Sequence, residues 1–155
     1  MELADILSEE SVIVCVGLKT KSEVLRQLAE RAAQVTKGDV EQIFEALSDR
    51  EALGSTGLGN GIAIPHGKLA GLNGVTAVFA RLETPIDFEA VDDQPVDLMM
   101  MLLAPVGAGA DHLKALARVA RLLRNEDTVE ALRRAGGAEE IYAILTQPLP
   151  ATKAA

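Results

Sequence analysis

The chain contains two histidines, and one of them, His66, lies in the short sequence Ile-Pro-His-Gly. A neutral imidazole is a competent nucleophile near physiological pH. Pro65 restricts the backbone on one side of His66, and Gly67 leaves the ring uncrowded on the other side. This arrangement suits an imidazole that must meet a reactive atom in one orientation, whereas a purely structural histidine is the alternative.

The segment before His66 is unusually rich in glycine. Seven of the thirteen glycines fall between Gly54 and Gly74, which is denser than an ordinary turn requires. A Walker-type phosphate loop does not fit, because no Gly-Lys-Ser/Thr ends the run, and a Gly-x-Ser-x-Gly elbow is absent. A dinucleotide fingerprint also fails, because the run leads into the apolar residues 62–64 rather than into a helix. A glycine-lined site and a simple connector both stay open.

The stretch from Arg50 to Gly67 reads R-E-A-L-G-S-T-G-L-G-N-G-I-A-I-P-H-G. It resembles the signature of the fructose/mannitol-type (type 2) enzyme IIA domain of the bacterial phosphotransferase system, and most closely its nitrogen-regulatory branch. Compatible patterning continues to about Thr146. The resemblance implies that His66 accepts a phosphoryl group from an HPr-like phosphocarrier, with Nε2 as the reacting nitrogen. It also implies that Arg50 and His112 flank the phosphate.

Phosphoryl transfer requires alignment, together with positive or donor groups directed at the phosphoryl oxygens. Arg50 offers a planar fork of N–H donors, although a cation in the last turn of a helix also suits the helix dipole. His112, in the first turn of a helix that we expect Asp111 to cap, offers a ring donor beside unpaired helix amides. A solvent-facing His112 is the structural alternative.

The glycine-rich segment offers further donors. The backbone amides of Gly57, Gly59 and Gly61 are candidates for an anion-binding concavity. Ser55 and Thr56 are candidate hydroxyl donors, and capping or turn roles suit these two residues equally well.

Composition limits the classes of function. With 155 residues, 48% of them apolar and 3% aromatic, the chain is long enough for one domain with an aliphatic core. A net charge of −8 without a basic stripe argues against a nucleic-acid binder. The acidic balance suits either solubility alone or docking to a basic partner surface. Two histidines and one cysteine provide no metal-ligand cluster, so we expect neither a metal nor a cofactor.

The sequence also bears on location. Cys15 lies in an apolar run and is expected to be buried, and a single cysteine cannot form an internal disulfide, which fits a reducing compartment. The N-terminus has no signal-peptide pattern, and the longest apolar run, residues 98–104, is too short to span a bilayer. We therefore expect a cytoplasmic protein without membrane insertion.

Apolar runs predict four strands, at residues 12–16, 62–64, 75–82 and 96–104. Capping signals and helical periodicity predict five helices, at residues 21–38, 40–52, 111–123, 127–136 and 138–146. In the third helix the expected inward face is Leu113, Leu116, Val119, Ala120 and Leu123. Asp127 is the expected N-cap of the fourth helix, and residues 84–94 are expected to form a loop. Three consecutive methionines, residues 99–101, should point to alternate faces of a strand and pack in the core.

This order of elements predicts an α/β fold, a single domain with a mixed β-sheet flanked by helices on both faces. It agrees with the enzyme IIA type-2 fold that the resemblance implies. We expect the domain to comprise residues 1–147 and a flexible tail to follow at residues 148–155. The strand order cannot be obtained from the pattern.

Two outputs are compatible with a phosphohistidine carrier. In the first, the phosphorylation state regulates protein partners such as potassium transporters or sensor kinases, as the nitrogen-regulatory branch implies. In the second, a sugar-specific (fructose/mannitol) enzyme IIA passes the phosphate to a IIB domain for sugar uptake. The sequence shows no permease domain and no HPr-like segment, which favours the regulatory output.

Overall fold

A mixed β-sheet of six strands lies at the centre of residues 2–147, the part of the chain that the computed structural model describes. The strands are β1 (Val12–Cys15), β2 (Gly57–Gly59), β3 (Ile62–Ala63), β4 (His66–Leu69), β5 (Thr76–Ile86) and β6 (Val96–Pro105). They lie in the order β1-β5-β6-β3-β2, and β4 also pairs with β6. The mixed sheet that the sequence predicts is confirmed, and the structure supplies its strand order.

Strand β6 organises the sheet around the segment that contains His66. It runs antiparallel to β5 and parallel to both β3 and β4. β3 pairs with the start of β6 at Leu98 and Met99, whereas β4 pairs with its second half, from Leu102 to Pro105. β3 and β4 therefore follow one another along the same side of β6.

Helices cover both faces of the sheet, as predicted. They are α1 (Lys21–Thr36), α2 (Val40–Ala52), α3 (Ala110–Arg124), α4 (Glu126–Arg134) and α5 (Ala138–Thr146). Apolar residues of α1 and α2 pack on one face, and those of α3, α4 and α5 pack on the other. The predicted capping box of Thr20 with Glu23 is confirmed, and the Asp39 side chain caps α2 by accepting from Gln42 N–H.

The three methionines of β6 show why this strand is apolar along nearly its whole length. Met99 and Met101 pack with the core on the α1–α2 side, while Met100 packs with the core on the opposite side. All three are fully buried. The alternation of a strand thus sends successive side chains into two cores, which confirms the prediction that they serve packing.

Several predicted boundaries are wrong. Strand β5 continues to Ile86, inside the expected loop, because Ile86 is buried and pairs with Val96 of β6. The expected connector before residues 62–64 contains strand β2, which forms a hairpin with β3, and His66 begins a strand of its own. The short β2 and β4 carry too few apolar residues for the pattern to indicate strands.

The helices after β6 also differ in detail. Gly109, and not Asp111, is the N-cap of α3, and Asn125, and not Asp127, caps α4 by accepting from Thr128 N–H. In α3 the inward face includes His112, whereas Leu113 is 66% exposed. The predicted inward position of Leu113 is therefore wrong. Hydrophobic periodicity favours the apolar Leu113 on the buried face of α3, but in the folded structure the neighbouring His112 is buried there instead.

Within residues 2–147, none of the helices combines the length and the apolar character that crossing a bilayer requires. The tail predicted at residues 148–155 lies outside the described residues.

Candidate functional site

Three separate elements bring Arg50, His66 and His112 together. Arg50 lies in the last turn of α2, His66 is the first residue of β4, and His112 is in the first turn of α3. His66 pairs with Leu102 near the end of β6, and the connector that follows β6 leads directly into α3. The centroids of the two imidazole rings are consequently 5.6 Å apart, and the ring planes are inclined by 52°.

Two hydrogen bonds orient the His66 ring. Its Nδ1 lies 2.9 Å from the carbonyl oxygen of Ile64, which can only accept, so Nδ1 carries the hydrogen. Nε2 then holds the lone pair, and it accepts a hydrogen bond from Arg50 Nε at 3.2 Å. Because the backbone carbonyl fixes this tautomer, Nε2 is the ring nitrogen whose lone pair is directed towards the Arg50 guanidinium.

A backbone hydrogen bond also fixes the Arg50 side chain. Its Nη1 donates to the carbonyl oxygen of Gly54 at 2.9 Å, just past the end of α2. The guanidinium is therefore anchored at one nitrogen while a second nitrogen faces His66. A planar fork held in this way is suited to the oxygens of a phosphoryl group on Nε2.

An open pocket of about 360 Å³ joins the three predicted residues. Its lining comprises Ala46, Asp49, Arg50, Leu53, His66, Gly67, Lys68 and His112. His66 is half-buried and reaches the pocket, so a reactive partner can approach its ring. The pocket has cations at two positions, Arg50 and Lys68, which favours an anionic occupant.

His112 is the unusual group of the pocket. It is 7% exposed, and its Nδ1 is the one buried side-chain nitrogen or oxygen among the described residues without a hydrogen-bond partner. Burial lowers the pKa of His112, and the neighbouring charges of His66 and Lys68 lower it further. A buried ring nitrogen without a partner carries a desolvation cost, so core packing alone does not explain an imidazole at this position.

The hydroxyl candidates are engaged elsewhere. Ser55 Oγ donates to the carbonyl of Phe88 at 2.8 Å and accepts from Gly57 N–H at 3.0 Å. The Thr56 hydroxyl donates to the carboxylate of Glu51. Neither residue lines the pocket around His66 in the described part of the chain. A contact between these hydroxyls and a phosphoryl group stays a prediction, and the observed bonds favour structural roles.

The three glycine candidates lie in the β2–β3 hairpin. A Cβ on Gly57 would come within 2.7 Å of Ala90 Cβ, so close packing requires glycine there. Gly61 adopts a φ of 82°, and a Cβ there would press against Arg133 Nη2. Gly59 lines a second pocket, between the hairpin and the α3–α4 region. An anion-binding role for these amides likewise stays a prediction.

Several residues of the site were not identified from the sequence. Glu51, which follows Arg50, is buried, and its place within the recognised motif was the available signal. Lys68 and Asp49 line the pocket, but a charged residue without a motif gives no signal of its own. Leu53, 84% exposed, also lines the pocket, and an exposed leucine cannot be distinguished from a core leucine by type alone.

Within residues 2–147, no group of three or more histidine, cysteine, aspartate or glutamate side chains is arranged to hold a metal ion. Cys15 is buried, and burial raises the pKa of its thiol, which disfavours the reactive thiolate.

Residues 5–147 match the family described as "Phosphoenolpyruvate-dependent sugar phosphotransferase system, EIIA 2". Over 154 residues the chain is 49% identical to the nitrogen regulatory protein of Bradyrhizobium diazoefficiens, covering 99% of this chain and 100% of that protein. It is 38% identical over 125 residues to the fructose-specific EIIA component of the PTS system of Haloferax volcanii, covering 81% and 80% of the two chains. The crystal structure of nitrogen regulatory protein IIA-Ntr from Neisseria meningitidis gives a TM-score of 0.86 at 35% identity, covering 93% and 99%.

Proposed function

This chain belongs to the EIIA type 2 family of the phosphoenolpyruvate-dependent sugar phosphotransferase system, and on that premise we propose that it is a phosphohistidine carrier with a regulatory output. His66 accepts the phosphoryl group from an HPr-like phosphocarrier protein. The observation that carries the proposal is the bond geometry at His66, whose Nε2 lone pair faces the Arg50 guanidinium in a pocket shared with His112.

In the transfer step, the Nε2 lone pair of His66 attacks the phosphorus atom of the donor's phosphohistidine. The new N–P bond forms as the donor's N–P bond breaks, and the electron pair of the broken bond stays on the donor nitrogen. The Ile64 carbonyl keeps Nδ1–H in place, which holds the ring in line and stabilises the positive charge that the ring gains. No proton has to leave His66 during the attack.

Arg50 and His112 act on the phosphoryl oxygens. Before transfer, Arg50 Nε donates to Nε2, so the guanidinium must move from the nitrogen to the incoming oxygens when the new bond forms. His112 supplies a neutral ring donor, which its lowered pKa favours. Lys68 adds a positive charge at the edge of the pocket. Together these groups offset the negative charge that the phosphoryl group brings.

The surroundings of the pocket suit transient docking of a donor protein. Leu53 lines the pocket and is 84% exposed, and the exposed Leu113 follows His112 directly on α3. Exposed apolar side chains beside a site are typical of protein–protein contacts. The net charge of −8 favours a donor whose contact face is basic.

A reconstituted relay tests the proposal. The protein is incubated with phosphoenolpyruvate, enzyme I and an HPr-like phosphocarrier, and intact-mass spectrometry detects the transferred phosphoryl group. We expect an acid-labile, base-stable phosphate that disappears in His66→Ala. Reactions without the phosphocarrier, and reactions with another enzyme IIA, are the negative and positive controls. If the control enzyme IIA is labelled and this protein is not, the proposal is wrong.

We propose that the protein is cytoplasmic and that its output is regulatory. Its partners, such as potassium transporters or sensor kinases, distinguish the two phosphorylation states. What supports it is the 49% identity to a nitrogen regulatory protein, against 38% to a fructose-specific component. A phosphoryl group replaces the neutral Nε2 with about −1.5 to −2 charges, which a partner surface can distinguish.

The second candidate is a sugar-specific enzyme IIA that passes its phosphate to a IIB domain, which the similarity to the fructose-specific component supports. Affinity capture with wild type and His66→Ala, each with and without the relay, separates the two. Partners retained in only one phosphorylation state support regulation. Partners indifferent to phosphorylation, together with rapid transfer to a purified sugar-specific IIB domain, support sugar uptake.

A further inference from the structure

A buried carboxylate lies beside the arginine of the site and has no part in the steps described above. Glu51 follows Arg50 in the last turn of α2, and only 8% of its surface is exposed. A carboxylate at this end of a helix faces the negative end of the helix dipole, and its burial adds a desolvation cost. Helix stability and core packing therefore do not account for an acid at this position.

Three polar groups, two from Thr56 and one from Lys21, compensate the negative charge of the Glu51 carboxylate. Oε1 accepts from the backbone N–H of Thr56 at 3.1 Å and lies 2.9 Å from Lys21 Nζ, and Oε2 accepts from the Thr56 hydroxyl. Charge-assisted bonds of this kind are the strong ones in proteins. Because Lys21 is the first residue of α1, the carboxylate connects the beginning of α1 with the end of α2.

The bonds between Glu51 and Thr56 close the turn of residues 53–56, to which Arg50 is bonded through the Gly54 carbonyl. Within that turn, Gly54 N–H donates to the Glu51 carbonyl at 3.1 Å, and the Gly54 carbonyl accepts from Arg50 Nη1 at 2.9 Å. The same guanidinium donates from Nε to His66 at 3.2 Å. The position of the guanidinium thus depends on the Gly54 carbonyl, and that carbonyl depends on Thr56 being held against Glu51.

A second layer supports this arrangement from the side of residues 86–90. Lys21 Nζ lies 4.5 Å from the centroid of the buried Phe88 ring and 3.4 Å from the Glu89 carboxylate. The Phe88 carbonyl accepts from Ser55 Oγ, next to Thr56 in the turn. Lys21 therefore neutralises Glu51 and also contacts residues 88–89, to which the turn of residues 53–56 is hydrogen-bonded through Ser55.

We propose that Glu51, supported by Lys21 and Thr56, is a positioning residue that holds the Arg50 guanidinium in line with His66 Nε2. This inference rests on the proposed phosphocarrier function. In the described part of the chain the carboxylate does not line the pocket around His66, so it acts through the 53–56 turn and not on the phosphoryl group.

A double-mutant cycle on the transfer rate tests the role. Glu51→Gln removes the charge but nearly preserves the shape, so we expect a displacement of the guanidinium smaller than about 1 Å. Single-turnover transfer from the phosphocarrier should then slow by about 10-fold, less than the roughly 100-fold that a displacement of about 1 Å can cost. In the Arg50→Ala background, Glu51→Gln should have little further effect, because the group it positions is gone. Glu45→Gln, an exposed acid on the same helix, is the matched control and should leave the rate unchanged.

Thr56 supplies a second variant in case Glu51→Gln does not fold. Thr56→Val removes only the hydroxyl that donates to Glu51 and should slow transfer, whereas Thr56→Ser keeps the hydroxyl and should restore the rate. Equal slowing by Glu51→Gln in the presence and absence of Arg50, or equal rates for the serine and valine variants, overturns the positioning role.

The free protein provides a readout that does not depend on transfer. The hydrogen bond from Arg50 Nε affects the ¹⁵N resonance of His66 Nε2, and Arg50→Ala gives the reference for its loss. We expect Glu51→Gln to move this resonance towards the Arg50→Ala value, and an unchanged resonance overturns the inference. If the wild type is not phosphorylated in the relay, the proposed function fails while this measurement still decides whether Glu51 positions Arg50.

Discussion

Arg50 and His66 meet through a bond between the arginine Nε and the unprotonated Nε2 of the imidazole, 3.2 Å apart. In the proposed transfer, the arginine has to leave this nitrogen and turn to the phosphoryl oxygens as the new bond forms. Phosphorylation of His66 is therefore expected to change the position of the Arg50 side chain, which is also bonded to the Gly54 carbonyl.

Arg50→Ala should slow phosphoryl transfer to His66 by roughly one to three orders of magnitude, the usual effect of removing one donor to a developing anion. Arg50→Lys should recover only part of the rate, because an ammonium group lacks the planar fork. Single-turnover transfer from the phosphocarrier measures both effects. Arg121→Ala, at an exposed position on α3, is the matched control. An unchanged rate in Arg50→Ala would exclude the proposed role of the guanidinium.

His112 should make the folding stability depend on pH. Its pKa in the folded protein lies below the ordinary value of 6.5, so the unfolded chain binds more protons in the window below 6.5. The free energy of unfolding is then highest above that window and falls as the pH decreases through it. Urea unfolding across a pH series measures this slope, and His112→Gln should reduce it. An identical slope in the variant would show that His112 is not the group responsible.

Leu113→Glu should weaken docking of the donor protein without weakening the fold, because Leu113 is 66% exposed beside His112. We expect the KM for the phosphocarrier to rise by about 10-fold, corresponding to about 1.4 kcal/mol of lost binding free energy. Val16→Glu is the control, because Val16 is similarly exposed but lines a different pocket beside β1. Equal effects of the two changes would argue against a specific docking role.

Gly57→Ala should destabilise the fold by about 1–3 kcal/mol, the usual cost of overpacking. An added Cβ would lie 2.7 Å from Ala90 Cβ and 2.9 Å from Ala90 Cα, so backbone would have to move. Gly74→Ala is the matched control, since nothing lies within 4 Å of a Cβ there, and its stability should stay near that of the wild type. Denaturant unfolding of the two variants provides the comparison.

Local signals along the chain were sufficient for much of the fold. The caps at Thr20 and Asp39 and the apolar run of β6 each depend on neighbouring residues, and their predictions are confirmed. The family resemblance predicted that Arg50, His66 and His112 would meet, and the structure places them in one pocket. These features could be predicted because each depends on a short stretch of chain or on a recognised motif.

Other features depend on contacts between residues far apart in the chain, and only the folded structure decides them. The hairpin before His66 and the pairing of β4 exist because β6 offers its edge to short, glycine-rich segments. The exposure of Leu113 and the burial of His112 follow from how α3 packs on the sheet. The Nε2 lone pair of His66 is set by one backbone carbonyl, and the place of Glu51 is set by Lys21 and Thr56. Such choices depend on three-dimensional neighbours, whose identity a linear pattern of residue types does not contain.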